Sequence, residues 1–191
     1  IFEPDMGKAP YELLYNRRPD GQVFRNGDCY NESGNKNSYW TGYSNSLFYA
    51  SNYYNDPVLK REFTREVKQL SSFNMSPVQF LVMNNPDLGG EPVGTLPLTK
   101  YFGSPNGTMV ARTGGNDGLN APDAIGVMKI GEYWGGNHNH LDAGSFQLYY
   151  KGILASESGF YESYGTPHDG NYNKRTIAHK SQLIYDPDEQ M

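Results

Sequence analysis

The hydrophobic pattern of this chain changes period near residue 86, and that change restricts it to folds that keep helices and sheet in separate stretches. Upstream, apolar residues recur at helical spacing. Tyr43, Leu47, Ala50 and Tyr54 form one stripe, and Leu59, Phe63, Val67 and Leu70 form the next. Between them, Asp56-Pro57 predicts a helix start, with Asp56 as N-cap and Pro57 in the first helical position. Lys60, Arg61, Glu62, Arg65, Glu66 and Lys68 are expected on the solvent face of that helix. A short helix is expected from Tyr11 to Tyr15, closed by the turn residues Arg17-Arg18-Pro19-Asp20-Gly21. Another is expected from Pro77 to Met83.

Asn85-Pro86-Asp87-Leu88-Gly89-Gly90-Glu91-Pro92 reads as a loop, and short β-like runs follow it: Thr108–Thr113, Ala124–Ile130, Ser145–Lys151, Ile153–Glu157 and Gln182–Tyr185. Phe146, Leu148 and Tyr150 alternate with Ser145, Gln147 and Tyr149, the period-2 signature of a half-buried strand. Strands this close, with no helical pattern between them, should pair antiparallel. The expected layout is α+β, with helices in 1–95 and an antiparallel sheet in 96–191. Composition agrees. The 22 Gly and 12 Pro argue against a helical bundle, and 37% hydrophobic with 14% aromatic residues is enough to bury a core.

The net charge of −5 argues against a bulk electrostatic grip on nucleic acid. No apolar run approaches the roughly 20 residues that cross a bilayer, so no membrane span is expected. A single cysteine, Cys29, excludes an internal disulfide and a multi-cysteine zinc site. Ile1 begins without Met and without a basic, apolar leader, and the last residues follow a strand-like run; the chain is expected to be cut from something longer.

All four histidines lie in the second half: His138, His140, His168 and His179. Asn137-His138-Asn139-His140-Leu141-Asp142 is the densest polar cluster. In extended backbone its two histidines point the same way and could line one cleft as metal ligands or acid–base groups. His179 and an acid such as Glu157 or Asp142 could complete a zinc site. The same spacing also describes a polar loop with two exposed histidines, a Glu157 that emerges into solvent and a satisfied strand-edge His179. The loop from Phe160 to Arg175 mixes aromatic, amide and basic groups, which suits sugars: rings stack on pyranoses while Arg and Lys meet carboxylates or sulfates. The 16 Tyr of the chain fit a polar carbohydrate cleft, although many must serve the core.

Five stretches together resemble the heparinase II/III family of polysaccharide lyases: His138 through Gly152, Thr176 through Pro187, and the shorter Arg17-Arg18-Pro19-Asp20-Gly21-Gln22, Leu96-Pro97-Leu98 and Ala111-Arg112-Thr113-Gly114. The resemblance implies the last helices of an (α/α) toroid in 1–95, then the first part of an antiparallel β-sandwich in 96–191. It implies cleavage of an acidic, uronate-containing polysaccharide of the heparin or heparan sulfate type by β-elimination, in the periplasm or outside the cell. His138 matches the catalytic histidine. His140, Glu157 and His179 match three ligands of a structural zinc, with Glu157 in place of the family's Asp. Asn137, Tyr161 and Tyr164 match the cleft, and Arg112 and Arg175 are expected to meet substrate anions. The catalytic Tyr and the carboxylate-neutralising group would lie upstream of Ile1, so 191 residues alone are expected to be inactive. A noncatalytic, zinc-stabilised carbohydrate-binding or scaffold piece is the alternative. No nucleic acid or membrane partner is implied; a homodimer is compatible.

Overall fold

A computed structural model describes residues 3–24, 26–27, 43–70, 72–105, 107–116, 118, 120–132, 138–158, 163–182 and 187–188. The chain forms two compact units, drawn from the described parts of 1–23, 34–98 and 113–123 for the first and of 24–33, 99–112 and 124–191 for the second. Helices in one stretch and an antiparallel sheet in the other make the chain α+β.

The first unit carries α1 (Ala9–Asn16), α2 (Ser44–Tyr54), α3 (Pro57–Gln69) and α4 (Pro77–Met83). Asp56 caps α3 as its sequence predicts: its carboxylate accepts the amides of Val58 and Leu59, both at 3.0 Å. Leu14, Leu47, Phe48, Val58, Leu59 and Phe63 form the core. The Phe48 ring lies 5.2 Å from Phe63 and 5.4 Å from Phe80. The buried face of α2 is Ser44, Leu47, Phe48, Ser51 and Asn52, so the stripe is rotated from the expected one, with Leu47 common to both.

The charge run on α3 is not wholly solvated, which corrects the sequence reading. Glu62 and Glu66 are 1% and 0% exposed. Glu62 accepts from Arg17 at 2.8 Å and from Arg65 at 3.0 Å, and Glu66 accepts the Tyr43 amide at 2.7 Å. Arg17 enters the core because the Arg17–Gly21 segment turns back on itself. Arg18 N–H donates to the Gln22 carbonyl at 2.7 Å, Gly21 N–H to the Arg18 carbonyl at 3.0 Å, and Gly21 adopts φ 83°.

The second unit carries the sheet: β1 (Thr99–Phe102), β2 (Thr108–Arg112), β3 (Ala124–Lys129), β4 (Phe146–Tyr150) and β5 (Ile153–Ala155). They lie in chain order and every neighbouring pair is antiparallel. β1 was not expected from the sequence. Of the expected Gln182–Tyr185 run, only Gln182 is among the described residues. The register decides which face of β4 is inside. Tyr149 pairs with Ile125 and Gln147 with Val127, both on the buried face, so Phe146, Leu148 and Tyr150 are exposed beside Met109 and Met128. No helix among the described residues is long and apolar enough to cross a membrane.

Candidate metal centre

β3, β4 and β5 bring three segments to one end of the sheet. β3 finishes at Lys129, whose amide donates to the Ser145 carbonyl at 2.9 Å, while Gly144 N–H donates back to the Lys129 carbonyl at 2.7 Å. This turn, with Gly144 at φ 78°, sets Asp142 just before β4. Glu157 follows β5 by two residues. Its neighbour Ser158 donates to the Ala178 carbonyl from its amide at 2.8 Å and from its hydroxyl at 3.1 Å. That bond pins the 3-10 turn Thr176–Ala178, and His179 comes directly after it.

One oxygen of Asp142, one of Glu157 and one nitrogen of His179 all lie within 4.8 Å of each other, close enough to share one cation. His179 is 1% exposed, and the Glu157 side chain 6%. Both expectations of an ordinary surface role therefore fail: Glu157 does not emerge into solvent, and His179 is neither on a strand edge nor satisfied. Its Nδ1 stands 3.2 Å from Glu157 Oε1, off the line a hydrogen bond needs, and neither ring nitrogen has a hydrogen-bond partner among the described residues. A buried imidazole in that condition carries an uncompensated desolvation penalty of about 1–3 kcal/mol. A bound cation would remove it.

His140 lies beside this group rather than within it. It is 2% exposed, and its ring centroid is 5.1 Å from that of His179 with the planes at 56°. Two imidazoles on one tetrahedral zinc, with bonds of about 2.0–2.1 Å, hold their centroids roughly 5 Å apart, so the spacing suits a shared metal. The two acids are not equivalent. Lys129 Nζ binds Asp142 Oδ2 at 2.7 Å and already neutralises it. Glu157 faces an imidazole instead, and a cation would neutralise Glu157 first.

His138 separates from His140. The expectation of an extended backbone fails at His138, which adopts φ 64°, and the left-handed turn leaves His138 exposed while His140 is buried. Gly27 packs against this turn: a Cβ there would stand 2.6 Å from the His138 carbonyl oxygen. Among the other expected site residues, Asn137 and Tyr161 lie outside the described residues. Tyr164 and Arg175 are exposed on one turn, and the Leu141 amide, between His140 and Asp142, donates to the Lys174 carbonyl of that turn at 2.9 Å. Arg112 pairs with Ile125, four residues along β3 from Lys129, and so sits roughly 13 Å along the strand from the acid–imidazole cluster.

No family model matches the chain, and no curated protein matches it either. Lys129 and Gly27 enter the site without a local signal, since a strand-end lysine and a loop glycine look the same wherever they occur.

Proposed function

We propose that this chain is part of a polysaccharide lyase that cleaves a uronate-containing glycosaminoglycan by β-elimination, and that a structural zinc held by His140, Glu157 and His179 steadies its catalytic loop. The observation that carries the reading is one exposed imidazole, His138, two residues before a buried His140 that adjoins the Glu157–His179 pair. The buried group would anchor the loop, and the exposed one would be left to act on substrate. Asp142, held by Lys129, would orient the centre from outside or serve as a fourth ligand.

In the proposed reaction a base takes the C5 proton of the uronate, the C4–O bond breaks as the C4=C5 double bond forms, and an acid protonates the departing oxygen. His138 would take part in that proton transfer beside a Tyr upstream of Ile1. The exposed apolar face of Met109, Met128, Phe146, Leu148 and Tyr150 fits a half-built β-sandwich, and α1–α4 fit the end of a toroid. The family resemblance would put the protein in the periplasm or outside the cell.

The test is a panel of heparin, heparan sulfate, other glycosaminoglycans, alginate and ulvan incubated with the full-length protein, read by absorbance of the unsaturated uronate. His138→Ala is expected to lower turnover by about 10²–10⁴ and leave melting and zinc content unchanged. Wild-type turnover in that variant removes His138 from the mechanism. Zinc and saccharide binding with no product on any substrate supports the noncatalytic scaffold reading instead.

A further inference from the structure

Asp142 is close enough to Glu157 and His179 to share a cation with them, yet its charge is already engaged. Its Oδ2 binds Lys129 Nζ at 2.7 Å. This is not a loose surface pair: the Asp142 side chain is 2% exposed and that of Lys129 15%. Backbone bonds fix both ends. Lys129 pairs with Thr108 of β2, its amide donates to the Ser145 carbonyl at 2.9 Å, and its carbonyl accepts the Gly144 amide at 2.7 Å. Asp142 is pinned on either side, by the Leu141 amide on the Lys174 carbonyl at 2.9 Å and by the Ser145 amide on the Asp142 carbonyl at 3.0 Å. Glu157 differs. It is buried to a similar depth, and no Lys or Arg pairs with it among the described residues.

Proximity alone would make Asp142 a ligand; charge argues the other way. A carboxylate bonded to an ammonium has already gained much of the Coulomb energy that a metal cation would offer it. To ligate, Asp142 would have to give up Lys129 or hold the ammonium against a divalent cation, and like charges repel strongly in a site this buried. Glu157 carries neither cost. We propose that Lys129 is a positioning residue for this centre: by neutralising Asp142 it withholds that carboxylate from the cation and leaves the fourth coordination position to an exchangeable ligand, a water or a small anion. His140, Glu157 and His179 would then be the protein ligands. Three protein ligands and one open position is the pattern of a metal that exchanges a ligand with solvent, whereas a closed structural site supplies all four. Only the metal reading above is needed for this, not catalysis.

Two measurements on the full-length protein test the role of Lys129. Zinc affinity is read by competition with a chromogenic chelator. Cobalt is then loaded in place of zinc, and azide is titrated against its visible absorption. Wild type is expected to give an azide-dependent shift. Lys129→Met releases Asp142 to the metal, so zinc should bind at least about tenfold more tightly and the azide shift should disappear. Tighter zinc by itself would also follow from the unneutralised carboxylate; loss of the azide shift requires that carboxylate to take the open position. Lys129→Arg keeps the charge and should behave as wild type, a rescue that a lysine serving only packing would not give. Lys129→Met combined with Asp142→Asn leaves neither charge behind, and should keep the azide shift and hold zinc affinity within about threefold of wild type. Zinc bound about tenfold or more weakly by this double variant would make Asp142 a wild-type ligand and overturn the proposal. An azide shift retained in Lys129→Met, or absent in wild type, overturns it equally. In each of these cases the metal reading stands. Wild-type protein that takes up neither zinc nor cobalt overturns the metal reading, and the role of Lys129 with it.

Discussion

Glu62 in the helical unit and Glu157 in the sheet unit are buried in opposite ways. In the helical unit Glu62 is 1% exposed and each of its oxygens accepts from an arginine, Oε2 from Arg17 and Oε1 from Arg65. In the sheet unit the buried Glu157 side chain stands 3.2 Å from His179 Nδ1 and in one group with Asp142, and His179 has no hydrogen-bond partner for either nitrogen among the described residues. A satisfied buried charge is a structural element and needs nothing further. An under-satisfied group of N and O donors at similar depth is stable only when something else completes it. The contrast separates a core ion pair from a candidate ligand site without reference to any motif.

The sharpest way to break this comparison is to remove the metal. If zinc completes the Glu157–His179 group, chelation should destabilise the sheet unit by on the order of 4 kcal/mol, the linkage expected when the free ion stands about a thousandfold above its Kd. In a unit of this size that corresponds to a melting shift of roughly 15–30 °C. His179→Ala should abolish zinc uptake and show no further loss on chelation. Freshly purified protein with no zinc by elemental analysis, and with melting unchanged by chelator, would show that the group is stable empty.

The helical unit offers the matched experiment. Glu62→Ala leaves the buried Arg17 guanidinium without the charge of Glu62 and is expected to cost about 3–5 kcal/mol, read as a lower denaturation midpoint. Zinc content should not change. Replacing the pair together, Arg17→Met with Glu62→Leu, should recover most of the loss, because two well-packed apolar side chains need no partner. A double variant as unstable as Glu62→Ala would mean that the pair specifies the fold of this unit and does more than neutralise itself.

Local signals were legible in the sequence and long-range ones were not. Asp56-Pro57 and Pro77 mark helix starts because their signals are local, a capping carboxylate within three residues of its amides at Asp56 and a fixed φ at each proline, and both helices begin where those residues place them. β2 to β5 fall inside the expected runs because period 2 is also local. The burial of Glu62 and Glu66 was invisible, since their partners Arg17 and Tyr43 stand 45 and 23 residues away. A charged residue on a helix looks solvated until its partner is placed. The spacing of His138 and His140 suggested one shared direction, but a positive φ at His138 reversed it, and no residue type announces that conformation in a histidine. Asp142 and Glu157 were both visible as acids, and the fold brings both to His179; the Lys129 ammonium that neutralises Asp142 was not visible, because only the β3–β4 register brings it there.

The smallest expected effect lies within the sheet unit, at Asp169. Burial alone would push this carboxyl up. The Gly165 amide, the Lys174 ammonium and the Asn173 side chain outweigh burial and hold it below its ordinary value of 3.8. The unfolded chain therefore takes up this proton at higher pH than the folded one. The stabilisation from Asp169 is complete above about pH 4, diminishes as acid protonates the unfolded state, and is gone once pH falls through the lowered folded value. Exchange of the Gly165 amide, corrected for its intrinsic pH dependence, should keep its protection at pH 5 and lose it progressively below 3.8. Asp169→Asn retains an acceptor for Gly165 but no titrating charge, so it should cost about 1 kcal/mol and leave that protection flat across the same range. Protection that falls equally in wild type and variant would assign the acid response to other groups, and the clamp on Lys174 would then owe nothing to the charge of Asp169.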